Sequence, residues 1–243
     1  MTGETAKAKA IVLDVRPWSR TSHVVTWLVD GFGTLATVVK GATRPKSPFL
    51  GQYDFFYTCE IVFYLRSPSG VHILKECAPL KIRDGLRGRW RECALAGYIA
   101  KYAVHGQTAS EESWRWFRFF EALFDLFSKG FISQEHALSA MLRAEKGVVK
   151  LSGVEPDLSS FDPAEEWSAF SLDDGRFSGR GRCFRLNRET VAALRFPEKC
   201  ANVKNLLDAL RFYGIFLQFH LDCPVDVRRS VLKILTLKTG ENK

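Results

Sequence analysis

Five β-type runs crowd into the first eighty residues, each set off from the next by a turn signal, and this spacing limits the fold more than any other feature. Residues 8–15 alternate and end at Arg16-Pro17, where proline holds its neighbour extended or in a turn. Residues 24–29 form the second run, and Asp30-Gly31-Phe32-Gly33 turns the chain into the third, 34–39, which is rich in β-branched residues. A long aromatic and β-branched run covers 53–65, Ser67-Pro68-Ser69-Gly70 reverses direction, and 71–78 runs back. Residues 1–7 read as a small polar tail. Five short strands at this spacing are most economically satisfied by a small closed or partly open barrel of the OB type.

After Pro79 the hydrophobic period changes. A basic connector (Lys81, Arg83, Arg87, Arg89, Arg91) leads into helical sequence from about 90 to 104. Ser110 is placed to cap the next helix, with Glu111 and Glu112 in its first turn, where the helix dipole favours acids. That helix, 114–127, is crowded with Trp and Phe, which implies either deep burial or a groove for a partner, burial being favoured. Ser133 caps a further helix to about 151, 152–185 reads as an irregular acidic and glycine-rich segment, and helices near 188–195, 202–221 and 224–237 close the chain. The expected fold is α+β: a five-stranded OB-fold β-barrel over 1–79, then a mainly α-helical C-terminal domain over 80–243.

The 243 residues carry a net charge of +8, enough to suggest an acidic partner but not to identify one. Its distribution says more. Residues 151–175 hold no Lys or Arg against 7 Asp and Glu, whereas 176–243 hold 14 against 6. Six scattered cysteines without a C-x-x-C pair, a polar 1–9, and no apolar stretch near the ~20 residues of a membrane span lead to an expectation of free thiols in a cytoplasmic protein that does not enter membranes.

Residues 33–48 combine a strand with a stiffened loop. Gly41 admits unusual dihedrals, Pro45 and Pro48 remove ladder donors, and Lys40, Arg44 and Lys46 stand there with no acid among them. Such a loop is either a solvated turn or a phosphate contact. Trp18, between Arg16 and Arg20, fits base stacking and a barrel-end packing role equally well. No catalytic constellation is present: the five histidines are dispersed, and phosphate-loop, nucleophile-elbow and paired-cysteine zinc motifs are missing. The chain reads as a non-enzyme that needs no cofactor and no metal.

Several phrases resemble the RecO recombination-mediator family. They are Val12-Leu13, Arg16-Pro17-Trp18-Ser19, Thr21-Ser22, Gly33, and Val39-Lys40-Gly41-Ala42 with Ser47. Leu142-Arg143, Glu145, residues 151–158, Asp174-Gly175-Arg176-Phe177, His220-Leu221 and Arg229-Ser230 extend the likeness through the helical part. Many members hold zinc through four cysteines in the segment matching 157–185, where this chain has only Cys183. Members often have an acid where Arg20 stands.

The resemblance implies a protein that binds single- and double-stranded DNA and anneals complementary strands coated by single-stranded DNA-binding protein. With RecR it would help load RecA, without nucleotide hydrolysis. By position Lys40, Arg44 and Lys46 inherit DNA contact. Arg16, Trp18, Arg20, Arg83 and Arg87 complete the expected nucleic-acid-binding set. Arg143 is the expected partner of the acidic, phenylalanine-ended tail of single-stranded DNA-binding protein. The alternatives are a pure protein-interaction adaptor and an OB-fold RNA-binding factor.

Overall fold

The computed structural model describes residues 4–65, 70–105, 112–221 and 224–237. The chain divides into two compact units, Met1–Gly130 and Phe131–Lys243.

The first unit opens with β1 (Thr5–Ser19), β2 (Ser22–Val29), β3 (Gly33–Val39), β4 (Thr58–Tyr64) and β5 (His72–Lys81). They close a barrel in the order β1-β2-β3-β5-β4, as expected of an OB-type fold. Closure rests on a short parallel contact, Thr37 with His72 and Val38 with Ile73. Alternation puts Ala10, Val12, Val25, Trp27, Val29, Ile61 and Phe63 inside. The Trp27 indole N–H donates to the Thr37 hydroxyl (2.9 Å), so the largest core side chain leaves no buried donor unmet.

Three sequence expectations change here. Thr5, Ala6 and Lys7 are strand, not tail, because they pair with Tyr64, Phe63 and Val62 of β4. β1 continues through Arg16 and Pro17 to Ser19; β4 pairs with it only as far as Ile11, so a proline beyond that point interrupts one ladder at most. The run 53–65 becomes strand only from Thr58, and Phe56, at φ 66°, turns the chain before it.

Helices α1 (Asp84–Arg87), α2 (Trp90–His105) and α3 (Ser113–Ser128) belong to the same compact unit. The barrel ends at Lys81, but the unit runs to Gly130, because these helices bury their aromatic face on it. Trp116, Phe117, Phe120, Leu123, Phe124 and Phe127 are buried, and Phe124 packs on Phe56 with ring centroids 4.8 Å apart. The Thr34 hydroxyl donates to the Ala103 carbonyl (2.6 Å). Residues 106–111, including the expected Ser110 cap, lie outside the described residues; the structure begins α3 after Glu112.

The second unit contains α4 (Gln134–Leu151), a three-stranded sheet of β6 (Trp167–Ser171), β7 (Arg176–Phe177) and β8 (Cys183–Asn187), then α5 (Arg188–Arg195), α6 (Val203–His220) and α7 (Val225–Thr236). Ser133 caps α4 by accepting from the His136 N–H (3.1 Å), as its position predicts. Pro224, expected at the first helical position, instead precedes it as the N-cap.

The segment expected to be irregular is thus largely sheet, in the order β7-β6-β8. Its inner face is set by Phe170, whose ring meets Phe177, Phe212 and Phe216 at 5.0–6.2 Å. Aromatic contact with α6 folds a stretch whose composition alone argues for loop.

At the centre of this unit Glu145 is fully buried and paired with Arg228 through Nε–Oε1 (2.7 Å) and Nη2–Oε2 (3.0 Å). Nη2 also donates to the Leu210 carbonyl (2.6 Å). Gly214 makes room for this guanidinium, since a Cβ there would stand 2.4 Å from Arg228 Nη1.

Candidate nucleic-acid interface

The β1–β2 hairpin turns between Ser19 and Ser22, carrying Arg16, Pro17, Trp18 and Arg20 into solvent. β3 leaves the barrel beside it, because His23 pairs with Val39. Lys40 therefore emerges next to the hairpin tip, and three bonds fasten the following loop to that tip. The Gly41 N–H donates to the Ser22 hydroxyl (3.2 Å), the Thr43 N–H to the Thr21 carbonyl (3.2 Å), and the Thr43 hydroxyl to the Arg20 carbonyl (3.5 Å).

Successive tight turns then organise the loop, with Arg44 N–H donating to Gly41 O, Ser47 to Arg44, Leu50 to Ser47 and Gln52 to Phe49 (2.9–3.3 Å). Gly41 has φ 66°, and the Arg44 stem lies over it, 3.2 Å from where a Cβ would sit. A side chain at 41 would thus meet both backbone strain and a collision.

Ala42 is buried in the barrel core, and Phe49 and Tyr53 pack against it from the loop. The Tyr53 hydroxyl lies 2.8 Å from His23 Nδ1, and burial pushes its pKa up to about 12. With small and aromatic pegs turned inward, Lys40, Arg44 and Lys46 are left exposed.

Electrostatics at this end of the barrel are one-sided. Among the described residues Arg20, Lys40, Arg44 and Lys46 form no ion pair within 4 Å. Arg16 does, donating to Asp14 Oδ2 at 2.5 Å. Trp18 is 65% exposed beside these cations, which excludes the barrel-end packing role. A flat aromatic surface among unpaired Lys and Arg can stack a base while the cations hold its phosphates.

Two comparisons bear on the chain, and one of them is located at this end. Residues 1–83 match the family model described as Recombination protein O N terminal. A stretch of 152 residues, 60% of this chain, is 30% identical to a protein named DNA repair protein RecO from Rhodopirellula baltica, and covers 53% of that relative. Residues 1–83, which include the whole barrel, are thus similar to the N-terminal domain of RecO proteins. The chain spans about half the length of the curated relative it matches.

Arg83 and Arg87 do not join the basic rim of this barrel. Arg83, expected to face nucleic acid, is 4% exposed. Its guanidinium donates to Asp125 (2.8 Å), the Phe56 carbonyl, the Thr58 hydroxyl (3.1 Å) and the Glu121 carbonyl (3.3 Å), so it clamps the turn before β4 to α3. A buried guanidinium with every face used has nothing left for a phosphate. Arg87 donates to Asp54 (2.7 Å) and the Tyr57 hydroxyl (2.6 Å), and its charge is largely answered there. Sequence position alone gave no sign of Asp125 or Asp54, which lie 42 and 33 residues away.

Arg143 is exposed on α4 and lines a cavity of about 370 Å³ with His136, Ser139, Lys199 and Cys200, and with the carboxylates of Glu135 and Glu198. This adjoins a second cavity of about 550 Å³, floored by Ala192, Ala193 and Phe196, with Lys199, Cys200 and Ala201 common to both. Lys199 Nζ sits 5.0 Å from the Phe196 ring centroid. Phe196 and Lys199 were missed by sequence reasoning; a helix-ending Phe-Pro step shows no sign of lining a groove until α4 is packed beside it. No helix among the described residues is long and apolar enough to cross a membrane.

Proposed function

We propose that this protein is a non-enzymatic, DNA-binding recombination mediator for DNA repair. It anneals complementary single strands coated by single-stranded DNA-binding protein and, together with RecR, helps load RecA. The observation that carries the reading is the unpaired basic rim of the barrel, Arg20, Lys40, Arg44 and Lys46 around an exposed Trp18. Cations from two adjacent elements neutralise phosphates of approaching strands and lower their mutual repulsion, a contribution that needs no bond-breaking step. The name of the Rhodopirellula baltica relative and the matched N-terminal domain agree with it.

The groove at Arg143 supports a second contact. A cation beside an alanine-floored pocket holding Phe196 suits a peptide that ends in an aromatic residue and a carboxylate, the chemistry of the tail of single-stranded DNA-binding protein.

The test is strand annealing with two labelled complementary oligonucleotides precoated by single-stranded DNA-binding protein, without ATP, across several salt concentrations. The expected result is acceleration that fades with salt. If about six phosphates are neutralised, affinity drops ~10³-fold between low and moderate salt. No acceleration, with retained binding of the tail peptide, would replace the mediator with a protein-interaction adaptor.

A further inference from the structure

The barrel rim gives a role to Arg20, Lys40, Arg44 and Lys46, but the basic run from residue 176 onward has no role yet. Its arginines sit on and around the small sheet of the second unit. β6 and β8 pair with Trp167 opposite Asn187, Ala169 opposite Arg185 and Ser171 opposite Cys183. Because side chains alternate along a strand, Phe170 and Leu186 go to the core while Trp167, Ala169, Arg185 and Cys183 share the other face. On that face Trp167 is 45% exposed, and the Arg185 guanidinium stands 5.8 Å from its ring centroid, across the small side chain of Ala169.

The basic residues here are all arginine, and the exposed carboxylates of Glu165, Glu166, Asp173 and Asp174 flank them. Arg182 is committed: its Nε and Nη2 both donate to Asp173 Oδ1 (3.2 and 2.7 Å), its backbone N–H donates to Oδ2 (2.7 Å), and its guanidinium stacks on Phe219 at 4.0 Å. Arg188 donates to the Pro163 carbonyl. Arg176, Arg180 and Arg185 are exposed and form no ion pair within 4 Å among the described residues. Arginine serves a single strand in two ways, since its planar fork takes phosphate oxygens and also stacks on bases. An exposed indole with an unpaired guanidinium alongside, and two more cations further along the same small sheet and its loop, is the combination by which single-stranded nucleic acid is held without sequence preference.

We propose that the outer face of the β6–β8 sheet is a second single-stranded DNA surface, with Trp167 stacking on a base and Arg185, Arg180 and Arg176 contacting phosphates. The inference rests on the annealing reading and extends it. The chain then holds a strand on each of its two units, which raises the effective concentration of one strand near the other. Asp173 occupies Arg182 and so marks one edge of the surface.

The experiment uses the full chain with a single-stranded oligonucleotide carrying a photo-activatable thymine analogue, and maps crosslinks to peptides. Alongside it, annealing is measured for the parent, Trp167→Ala, Trp167→Phe, Arg185→Ala and Arg185→Lys. Crosslinks are expected both on the barrel rim and within 167–185. Annealing should fall about fivefold or more in Trp167→Ala. Trp167→Phe should retain most activity, and Arg185→Lys should fall between parent and Arg185→Ala because it keeps charge but loses the planar fork. A parent that anneals, crosslinks only through the barrel, and is unaffected by Trp167→Ala and Arg185→Ala would overturn the second surface and leave the mediator reading standing. A parent that neither binds nor anneals DNA would remove both. Equal losses in Trp167→Ala and Trp167→Phe would also count against it, since a phenyl ring still stacks.

Discussion

The rim of the barrel and the interior of the helical unit use the same chemistry for opposite ends. In the interior, Arg228 meets Glu145 in a bidentate pair, gives a further bond to the Leu210 carbonyl, and has Gly214 cleared for it. At the rim, Arg20, Lys40, Arg44 and Lys46 stand in solvent without ion pairs among the described residues. Placing charge in the interior requires that every donor be met, so the arginine there is spent on structure. Charge on the rim costs the fold almost nothing and remains available to an anion. Arg83 shows that the distinction is one of packing rather than residue type, because it lies in a basic stretch yet behaves like Arg228.

The contrast is broken or sharpened most strongly in the interior. Removing one member of the pair, by Glu145→Ala or Arg228→Ala, should lower unfolding stability by about 3–5 kcal/mol in denaturant titration, since an uncompensated buried charge remains. Replacing both by apolar residues should cost clearly less than either single change. If the single variants unfold like the parent, Arg228 is no more structural than a rim residue.

Next comes the triple variant Lys40→Ala, Arg44→Ala, Lys46→Ala. Stability should stay within about 0.5 kcal/mol of the parent. The slope of log affinity against log salt for a single strand should shrink by about 2, near 0.7 for each phosphate released. An unchanged slope would strip the loop of its phosphate role.

Trp18→Ala sharpens the comparison from the uncharged side. Loss of one stacked base should weaken single-strand binding by about 1–3 kcal/mol while leaving the salt slope unchanged, as fluorescence anisotropy would report.

Tyr53→Phe should produce the smallest change. It deletes the hydrogen bond with His23 and should cost about 1 kcal/mol of stability. Burial raises the Tyr53 hydroxyl to about 12 in the fold, above its ordinary 10, so the folded chain keeps the proton longer than the unfolded one. Its contribution is full below pH 10 and disappears as pH climbs towards 12. The difference between parent and Tyr53→Phe should therefore narrow across that window and stay constant below it.

Much of the barrel was legible beforehand, because strand alternation and turn residues are local signals. Residues 24–29 and 34–39 fall inside β2 and β3, and the strand count led to the barrel. What failed were limits set by partners distant in sequence. Thr5, Ala6 and Lys7 become strand because β4 lies alongside, and 167–187 becomes sheet because Phe170 finds Phe212 and Phe216 on α6. The site divides in the same way. Lys40, Arg44 and Lys46 were readable because prolines and Gly41 force a loop out of the strand. That Arg83 is withdrawn, and that Phe196 and Lys199 line a groove beside Arg143, depends on side chains many residues away.

The sequence by itself therefore determined a five-stranded barrel, a helical remainder and a basic loop, since hydrophobic period and turn chemistry act over a few residues. Tertiary structure alone decided which cations face solvent. A guanidinium is consumed or left free by the carboxylates and carbonyls that folding brings to it, and Asp125 for Arg83, Glu145 for Arg228 and, among the described residues, no carboxylate for Arg44 is an outcome no local pattern encodes.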